Sequence, residues 1–193
     1  MPFHTGLINR TSLVLVVIDV QEKLAAVMDR RGAVVASTAR LVRAAALLGA
    51  PVIVTRQYPE GLGDTVPELA VALEEARGTG GLAVVDKTAF CACDEPAFLE
   101  ALYDTGRSMA VLVGMETHIC VTQTALALAK KTYPVHVVAD ACCSRRKDDH
   151  EVALDRLRAA GVVVSTSESV MYESIARAGT DEFRHLLDIV KGS

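Results

Sequence analysis

Short apolar runs rich in β-branched residues alternate along this chain with longer stretches of helical periodicity. Six runs have the length and composition of strands: Leu13–Ile18, Val52–Thr55, Leu82–Asp86, Met109–Val113, Val135–Ala139 and Val162–Ser165. Five longer stretches carry the helical pattern: Ala33–Leu48, Glu95–Tyr103, Thr117–Lys131, Asp148–Ala160 and Asp181–Val190. Such alternation builds right-handed βαβ units, and the strands are apolar throughout. We therefore predict an α/β fold whose parallel sheet is buried on both faces.

The length of the chain and the spread of its apolar residues limit the architecture further. The 193 residues fit one domain over residues 1–193. The segment Arg56–Gly81 is rich in glycine and proline, so we predict a long, lid-like loop with a short helix at Pro67–Arg77. No apolar run reaches the ~20 residues of a membrane span, and residues 1–12 lack the pattern of a signal peptide. We therefore expect a cytoplasmic protein with no membrane partner.

Charge and composition narrow the classes of partner. The net charge is −4 and aromatic residues make up 4% with no Trp, which argues against a nucleic-acid partner. The five cysteines form no paired CxxC pattern and the five histidines are dispersed, so we expect no metal and no cofactor. An odd number of cysteines leaves at least one thiol free, and we interpret four of them as packing residues: Cys91, Cys93, Cys142 and Cys143.

Three residues with chemical potential lie where strands end. In an open parallel sheet, ligands bind beyond the carboxyl ends of the strands, where the strand order reverses. Asp19 follows the first strand, Lys87 follows the third, and Cys120 lies after the fourth, where a helix begins. A helix N-terminus and a cation both stabilise a thiolate, and a carboxylate can act as a general base. Together they predict an activated cysteine; singly, each has a structural explanation, as a packing Cys, a capping Asp or a solvated Lys.

Motifs of other catalytic classes are absent from the sequence. It contains no GxSxG nucleophile elbow, no GxxxxGK[ST] phosphate loop and no GxGxxG after the first strand. A thiol redox protein would need a resolving cysteine near Cys120, and the sequence places none beside it. That alternative therefore depends on what folding brings together.

Five segments match the motifs of a known family. They are VLVVIDVQEKL (Val14–Leu24), VTRQYPEGLGDTVPEL (Val54–Leu69), VVDKTAFCAC (Val84–Cys93), Leu112–Arg145 and VSTSESVMYE (Val164–Glu173); within them IDVQ and GxETHxCVxQT are specific. On these segments the sequence resembles the isochorismatase-like cysteine hydrolases, most closely the branch of isochorismatase domain-containing proteins. The resemblance implies a Rossmann-like, three-layer α/β/α fold with a six-stranded parallel sheet in the order 3-2-1-4-5-6. It also implies a homo-oligomer.

The resemblance assigns roles to several residues. It implies a catalytic triad of Cys120, Asp19 and Lys87, in agreement with the reasoning from the strand ends. It implies a cis peptide bond between Met115 and Glu116. It further implies that the backbone N–H groups of Glu116 and Cys120 form the oxyanion hole.

Departures from the family pattern indicate the chemistry. Nicotinamidases of the family carry an Asp-x-His metal motif where this chain reads TRQYPEG, so the resemblance implies no metal here. A catalytic Cys120 favours attack on a carbonyl over hydrolysis of a vinyl ether. We therefore expect a metal-independent cysteine hydrolase of a small amide, carbamoyl or related C–N substrate, acting through a thioester. Two alternatives stay open: a non-catalytic interaction or scaffold protein that retains the triad, and a vinyl-ether hydrolase of the isochorismatase type.

The substrate pocket is expected beside the triad. Arg56 stands where related sequences of this branch generally have Glu, and its guanidinium would suit a substrate carboxylate or lie on the surface as a plain charge swap. His118 is two residues from Cys120. The full set of candidate pocket residues is Gln21, Arg56, Tyr58, Leu62, Phe90 and His118.

Overall fold

The computed structural model describes residues 6–79 and 81–192. Its strands are β1 (Leu13–Ile18), β2 (Val52–Gln57), β3 (Leu82–Lys87), β4 (Met109–Met115), β5 (Val135–Cys143) and β6 (Val163–Ser165). All pairs are parallel, in the order β3-β2-β1-β4-β5-β6. The α/β class and the strand order are therefore confirmed.

Helices cover both faces of this sheet. They are α1 (Glu22–Ala26), α2 (Arg31–Leu47), α3 (Pro59–Leu62), α4 (Ala70–Gly78), α5 (Pro96–Asp104), α6 (Thr122–Lys130), α7 (Lys147–Ala159), α8 (Ser167–Ile175) and α9 (Asp181–Lys191). Side chains of α2, α4, α8 and α9 pack on one face, and those of α5, α6 and α7 pack on the other. Because successive strand residues point to opposite faces, Leu15 and Val17 join the first core and Val14, Val16 and Ile18 the second. Within the described residues, no helix is long and apolar enough to cross a bilayer.

The strands that form the site are longer than the sequence predicts. The apolar runs mark where β2, β3, β4 and β5 begin, but pairing continues past them through polar residues and glycine. Arg56 pairs with Asp86, and Gln57 pairs with Lys87, at the carboxyl ends of β2 and β3. The pairing of β2 with β3 therefore places polar side chains at the site.

The prediction of a long loop at Arg56–Gly81 is wrong in most of its length. The segment contains the end of β2, then α3, a 3₁₀ turn at Pro67–Leu69 and α4, so the short helix predicted at Pro67–Arg77 is present. Gly80 lies outside the described residues. Three helices, α1, α3 and α8, are not predicted by the sequence pattern, because two of them are short and α8 is rich in serine and glutamate.

Candidate active site

Asp19 and Lys87 form a fully buried ion pair at the carboxyl end of the sheet. The distance from Lys87 Nζ to Asp19 Oδ2 is 2.8 Å, and neither side chain is exposed to solvent. Lys87 ends β3, and β2 lies between β3 and β1. The long lysine side chain therefore crosses the end of β2 to reach Asp19. A buried charge is tolerated when it is paired and hydrogen-bonded, and both conditions are met here.

Hydrogen bonds from β2 hold both charges in place. The Thr55 hydroxyl donates to Asp19 Oδ1 at 2.7 Å. Lys87 Nζ donates to Gln57 Oε1 at 2.6 Å, and to the carbonyl oxygens of Ala89 and Phe90 at 3.2 and 3.4 Å. Sequence reasoning missed Thr55 and Gln57; the signal was available, because they are polar residues at the end of an otherwise apolar strand.

Cys120 lies next to this ion pair. It sits in a single π-helical turn, Thr117–Val121, which follows β4 and leads into α6. The pKa of the Cys120 thiol is raised to about 12, first by burial and then by the charge of Asp19, while the charge of Lys87 opposes the rise. Lys87 acts on this pKa in the expected direction, but burial and the charge of Asp19 outweigh it, so the net shift is upward. The structure brings the three predicted residues together, with the thiol protonated at neutral pH.

The turn that carries Cys120 has a fixed backbone. The peptide bond between Met115 and Glu116 is cis, as the resemblance implies. The buried Glu116 carboxylate accepts hydrogen bonds from the backbone N–H of Arg145 at 2.8 Å and from its Nε at 3.2 Å. On the neighbouring strand, Asp19 adopts a φ of 52°, a left-handed conformation that is uncommon outside glycine.

Two predicted pocket residues are engaged in structural contacts. Gln21 is fully buried; its Oε1 accepts from the Gln57 N–H at 2.7 Å, and its Nε2 donates to the carbonyl oxygens of Gln57 and Gly63 at 3.0 and 2.8 Å. The Arg56 guanidinium lies 2.6 Å from Asp86 and 2.8 Å from Asp64. The hydrogen-bonding groups of Gln21 and Arg56 therefore contact other groups of the protein.

The other four pocket candidates differ in position. Tyr58 and Phe90 are 54% and 55% exposed, and the backbone of each is hydrogen-bonded to Lys87. Leu62 is half-buried in α3. His118 turns toward the end of β5, where its Nδ1 lies 2.8 Å from Ser144 Oγ.

All five cysteines are free and buried. Cys142 and Cys91 donate weak hydrogen bonds to backbone carbonyl oxygens, as packing thiols do. A hydrogen bond between the thiols of Cys91 and Cys93 lowers the pKa of Cys91. Within residues 6–79 and 81–192, no three His, Cys, Asp or Glu side chains cluster in a way that could hold a metal ion.

The fold and the site define a Rossmann-like α/β protein with a buried Cys-Asp-Lys cluster where the strand order reverses between β1 and β4. The sequence model of the isochorismatase domain matches residues 13–169 of the chain. The chain therefore belongs to the isochorismatase family, as its motifs indicate.

Known proteins resemble the chain over most of its length. Isochorismatase domain-containing protein 2 from Bos taurus is 40% identical over 181 residues, which cover 93% of this chain and 83% of that protein. The chain spans 59% of the length of isochorismatase domain-containing protein 1 from Salmo salar, with 37% identity over 175 residues.

Solved structures share the same fold. The MAR1 ribonuclease from Caenorhabditis elegans is 34% identical, with a TM-score of 0.88 over 96% of this chain and 92% of that one. The YcaC gene product from Escherichia coli, described as an octameric hydrolase of unknown specificity, is 22% identical, with a TM-score of 0.83 over 98% of this chain and 92% of that one. At that identity, the second comparison supports the fold alone.

Proposed function

We propose that this protein is a metal-independent cysteine hydrolase that acts on a small amide, carbamoyl or related C–N substrate through a thioester. The observation that carries the proposal is the buried ion pair of Asp19 and Lys87, 2.8 Å apart, beside the Cys120 thiol. A nucleophile next to a general base, with a third group that orients the base, is the arrangement of covalent catalysis. Cys120, Asp19 and Lys87 are the catalytic residues of the proposal.

Because the thiol is protonated, the first step of the proposed mechanism removes its proton. Asp19 accepts the thiol proton as the sulfur attacks the substrate carbonyl, so the thiolate forms only when it is used. Lys87 stabilises the charges around the thiolate and holds Asp19 in position. The backbone N–H groups of Glu116 and Cys120 donate to the oxyanion of the tetrahedral intermediate.

Release of the products regenerates the site. The C–N bond breaks as Asp19 returns its proton to the leaving amine, which leaves an acyl thioester on Cys120. Asp19 then removes a proton from water, and the hydroxide attacks the thioester. The carboxylic acid departs, and the sulfur recovers its proton from Asp19.

The residues around the triad favour a small neutral substrate. Arg56 is neutralised by Asp64 and Asp86, so it presents no unpaired charge to a substrate carboxylate. The rings of Tyr58 and Phe90 are exposed, the backbones of both residues are hydrogen-bonded to Lys87, and we assign these apolar rings to the entrance of the substrate site. A thiol nucleophile suits a carbonyl better than a vinyl ether, which favours the amide proposal over isochorismatase-type hydrolysis.

A panel of small amides and carbamoyl compounds, assayed for release of ammonia or acid, tests the proposal. We expect the native protein to hydrolyse members of the panel and the Cys120→Ala variant to lose turnover while it keeps its fold. The Cys142→Ala variant is the matched control, because it removes a buried thiol elsewhere on the sheet. Turnover by Cys120→Ala would refute the mechanism, and a native protein inactive on the whole panel would favour the scaffold alternative.

We also propose that the protein is a cytoplasmic homo-oligomer. The resemblance of the motifs to the isochorismatase-like family carries the proposal of an oligomer, and YcaC, which shares the fold, is described as octameric. Light scattering on a gel-filtration peak gives the mass directly, and we expect a multiple of 20.5 kDa. A peak at the mass of one chain over a tenfold range of loading concentration would contradict the oligomer.

A further inference from the structure

A cavity of about 390 Å³ lies at the end of β5. Its wall includes Cys143, the last residue of β5, then Ser144, Lys147 and His150 on α7, and Arg30 before α2. Asp19 follows β1 and Lys87 ends β3, both on the other side of β4 from β5, and none of Asp19, Lys87 and Cys120 lines this cavity. The mechanism above makes no use of it.

Arg30 gives the cavity an unpaired positive charge. Among the residues that the structure describes, no carboxylate lies within ion-pair distance of its guanidinium. The charge reaches the wall of the cavity: burial and then Arg30 lower the pKa of His150, and Arg30 opposes the rise that burial causes in the pKa of Cys143. Most surface arginines of this chain instead pair with an acidic side chain, as Arg56 and Arg145 do.

His150 adds a buried hydrogen-bonding atom. The residue is only 8% exposed, and its Nδ1 lies 2.9 Å from the Thr117 hydroxyl. Its Nε2 has no hydrogen-bond partner in the described part of the chain, and it is not fully enclosed by protein. Nε2 can therefore form a hydrogen bond with a ligand or with water. Since His150 lines the cavity, this nitrogen is available to a ligand there.

Lys147 supplies the third donor group. Its Nζ lies 3.3 Å from Glu151 in an exposed pair, and such pairs contribute little free energy. An ammonium group has three N–H donors, so one contact with Glu151 leaves two for a ligand. Asp29 is the other acidic residue of the wall. The inner wall thus combines arginine, lysine and imidazole donors.

We propose that this cavity binds a small oxyanion, a carboxylate or phosphate group, between Arg30, Lys147 and Nε2–H of His150. Arginine and lysine donors match the oxygen atoms of both groups, and charge-assisted hydrogen bonds are the strong ones. The volume of the cavity suits a small metabolite or a free ion. An anion on Nε2–H favours the protonated imidazole, and His150 contacts Thr117 directly. The site is therefore one side-chain hydrogen bond from the turn that carries Cys120.

Titration of the histidine ring signals by NMR tests this site with two probes, inorganic phosphate and succinate, at constant ionic strength. The signal of His150 is assigned by its loss in His150→Gln. We expect saturable movement of this signal with at least one probe, and an upward shift in the pH at which it titrates. The groups that face His150 are Arg30, Asp29, Cys143, Lys147 and Glu151. The probe that saturates at lower concentration distinguishes a phosphate site from a carboxylate site.

Two charge-matched variants decide the outcome. Arg30→Gln removes the unpaired cation of the cavity and should weaken binding by about tenfold or more. Arg156→Gln removes an exposed cation from the far end of α7 and should leave binding unchanged. The proposal is overturned if neither probe gives saturation, or if Arg30→Gln and Arg156→Gln bind equally well. Equal movement of the His118 and His185 signals would likewise identify a general salt effect.

Discussion

At the scale of single residues, Cys120 and Asp19 are coupled, because the carboxylate raises the pKa of the thiol. Asp19→Asn removes that negative charge while Lys87 keeps its positive charge. The thiol pKa should therefore fall, and alkylation of Cys120 at pH 8 should become faster. Hydrolysis should slow by about 10²–10⁴-fold, because the general base is gone. Labelling by iodoacetamide, read peptide by peptide in a mass spectrometer, and turnover measure the two effects.

Faster alkylation of Cys120 together with slower hydrolysis distinguishes a general base from a residue with a purely structural role. Asp155→Asn, an exposed substitution on α7, is the control and should change neither. Cys91 must be followed separately, since its own pKa is lowered by Cys93. Slower labelling of Cys120 in Asp19→Asn would contradict the coupling seen in the structure.

Thr55 positions Asp19 through a buried hydrogen bond of 2.7 Å. Thr55→Val keeps the shape of the side chain but removes the hydroxyl that stabilises the ionised carboxylate. We expect kcat/KM to fall by about tenfold, because the proposed base loses the hydrogen bond that holds it in position. Thr38→Val is the control, because the Thr38 hydroxyl is buried on α2 without a hydrogen-bond partner among the described residues. An unchanged kcat/KM in Thr55→Val would show that the hydroxyl does not support the base.

Reasoning from strand ends correctly predicted that Asp19, Lys87 and Cys120 lie together, because the topology of a parallel sheet brings the carboxyl ends of its strands to one edge. Such reasoning could not show which of the neighbouring polar side chains form hydrogen bonds within the protein. Gln21 and Arg56 look like ligand-binding residues in sequence, yet their hydrogen-bonding groups contact the protein. Whether a polar side chain faces the cavity or the backbone depends on long-range contacts, and these contacts have no local sequence signal.

At the scale of elements, Gly114 allows β4 to approach β1. A Cβ built at this glycine would lie 1.9 Å from the Ile18 carbonyl oxygen, and φ is +121°. Gly114→Ala must therefore push the two strands apart beneath the triad, and we expect a loss of about 3 kcal/mol or more in unfolding free energy. Denaturant titration measures this loss.

Gly106→Ala separates the steric effect from the backbone effect. Gly106 also has a positive φ, +63°, but no atom lies within 4 Å of a Cβ built there. It should cost only about 1 kcal/mol, the price of a left-handed backbone. Equal losses in the two variants would mean that the strands are not in close contact at Gly114.

The elements were predictable to the extent that their residues are apolar. Strand cores and long amphipathic helices follow from periodicity, but the polar ends of β2 and β3 do not, since pairing there is imposed by neighbouring strands. The helix α8 has a capping signal in Thr166, whose hydroxyl accepts from the Ser169 N–H, yet its serine-rich sequence resembles a loop. The π-helical turn at Cys120 is likewise fixed by tertiary contacts such as Glu116 with Arg145.

At the scale of the whole molecule, net charge decides between a small substrate and RNA. The C. elegans relative is named a ribonuclease, whereas this chain carries a net charge of −4. Binding to RNA draws most of its affinity from phosphate contacts with Lys and Arg, and it weakens steeply as salt rises. Ten of the described arginine and lysine side chains are paired with carboxylates. We therefore expect no saturable binding of single-stranded RNA at physiological salt.

Fluorescence anisotropy of a labelled RNA of mixed sequence, repeated at several salt concentrations, measures this affinity, and gel analysis of the same samples detects cleavage. Cys120→Ala is included because the hydrolase and ribonuclease proposals differ in what it should do. A hydrolase of small amides leaves RNA intact with or without the thiol. RNA cleavage by the native protein that disappears in Cys120→Ala would instead assign the buried Cys-Asp-Lys cluster to RNA, and the substrate class proposed above would be wrong.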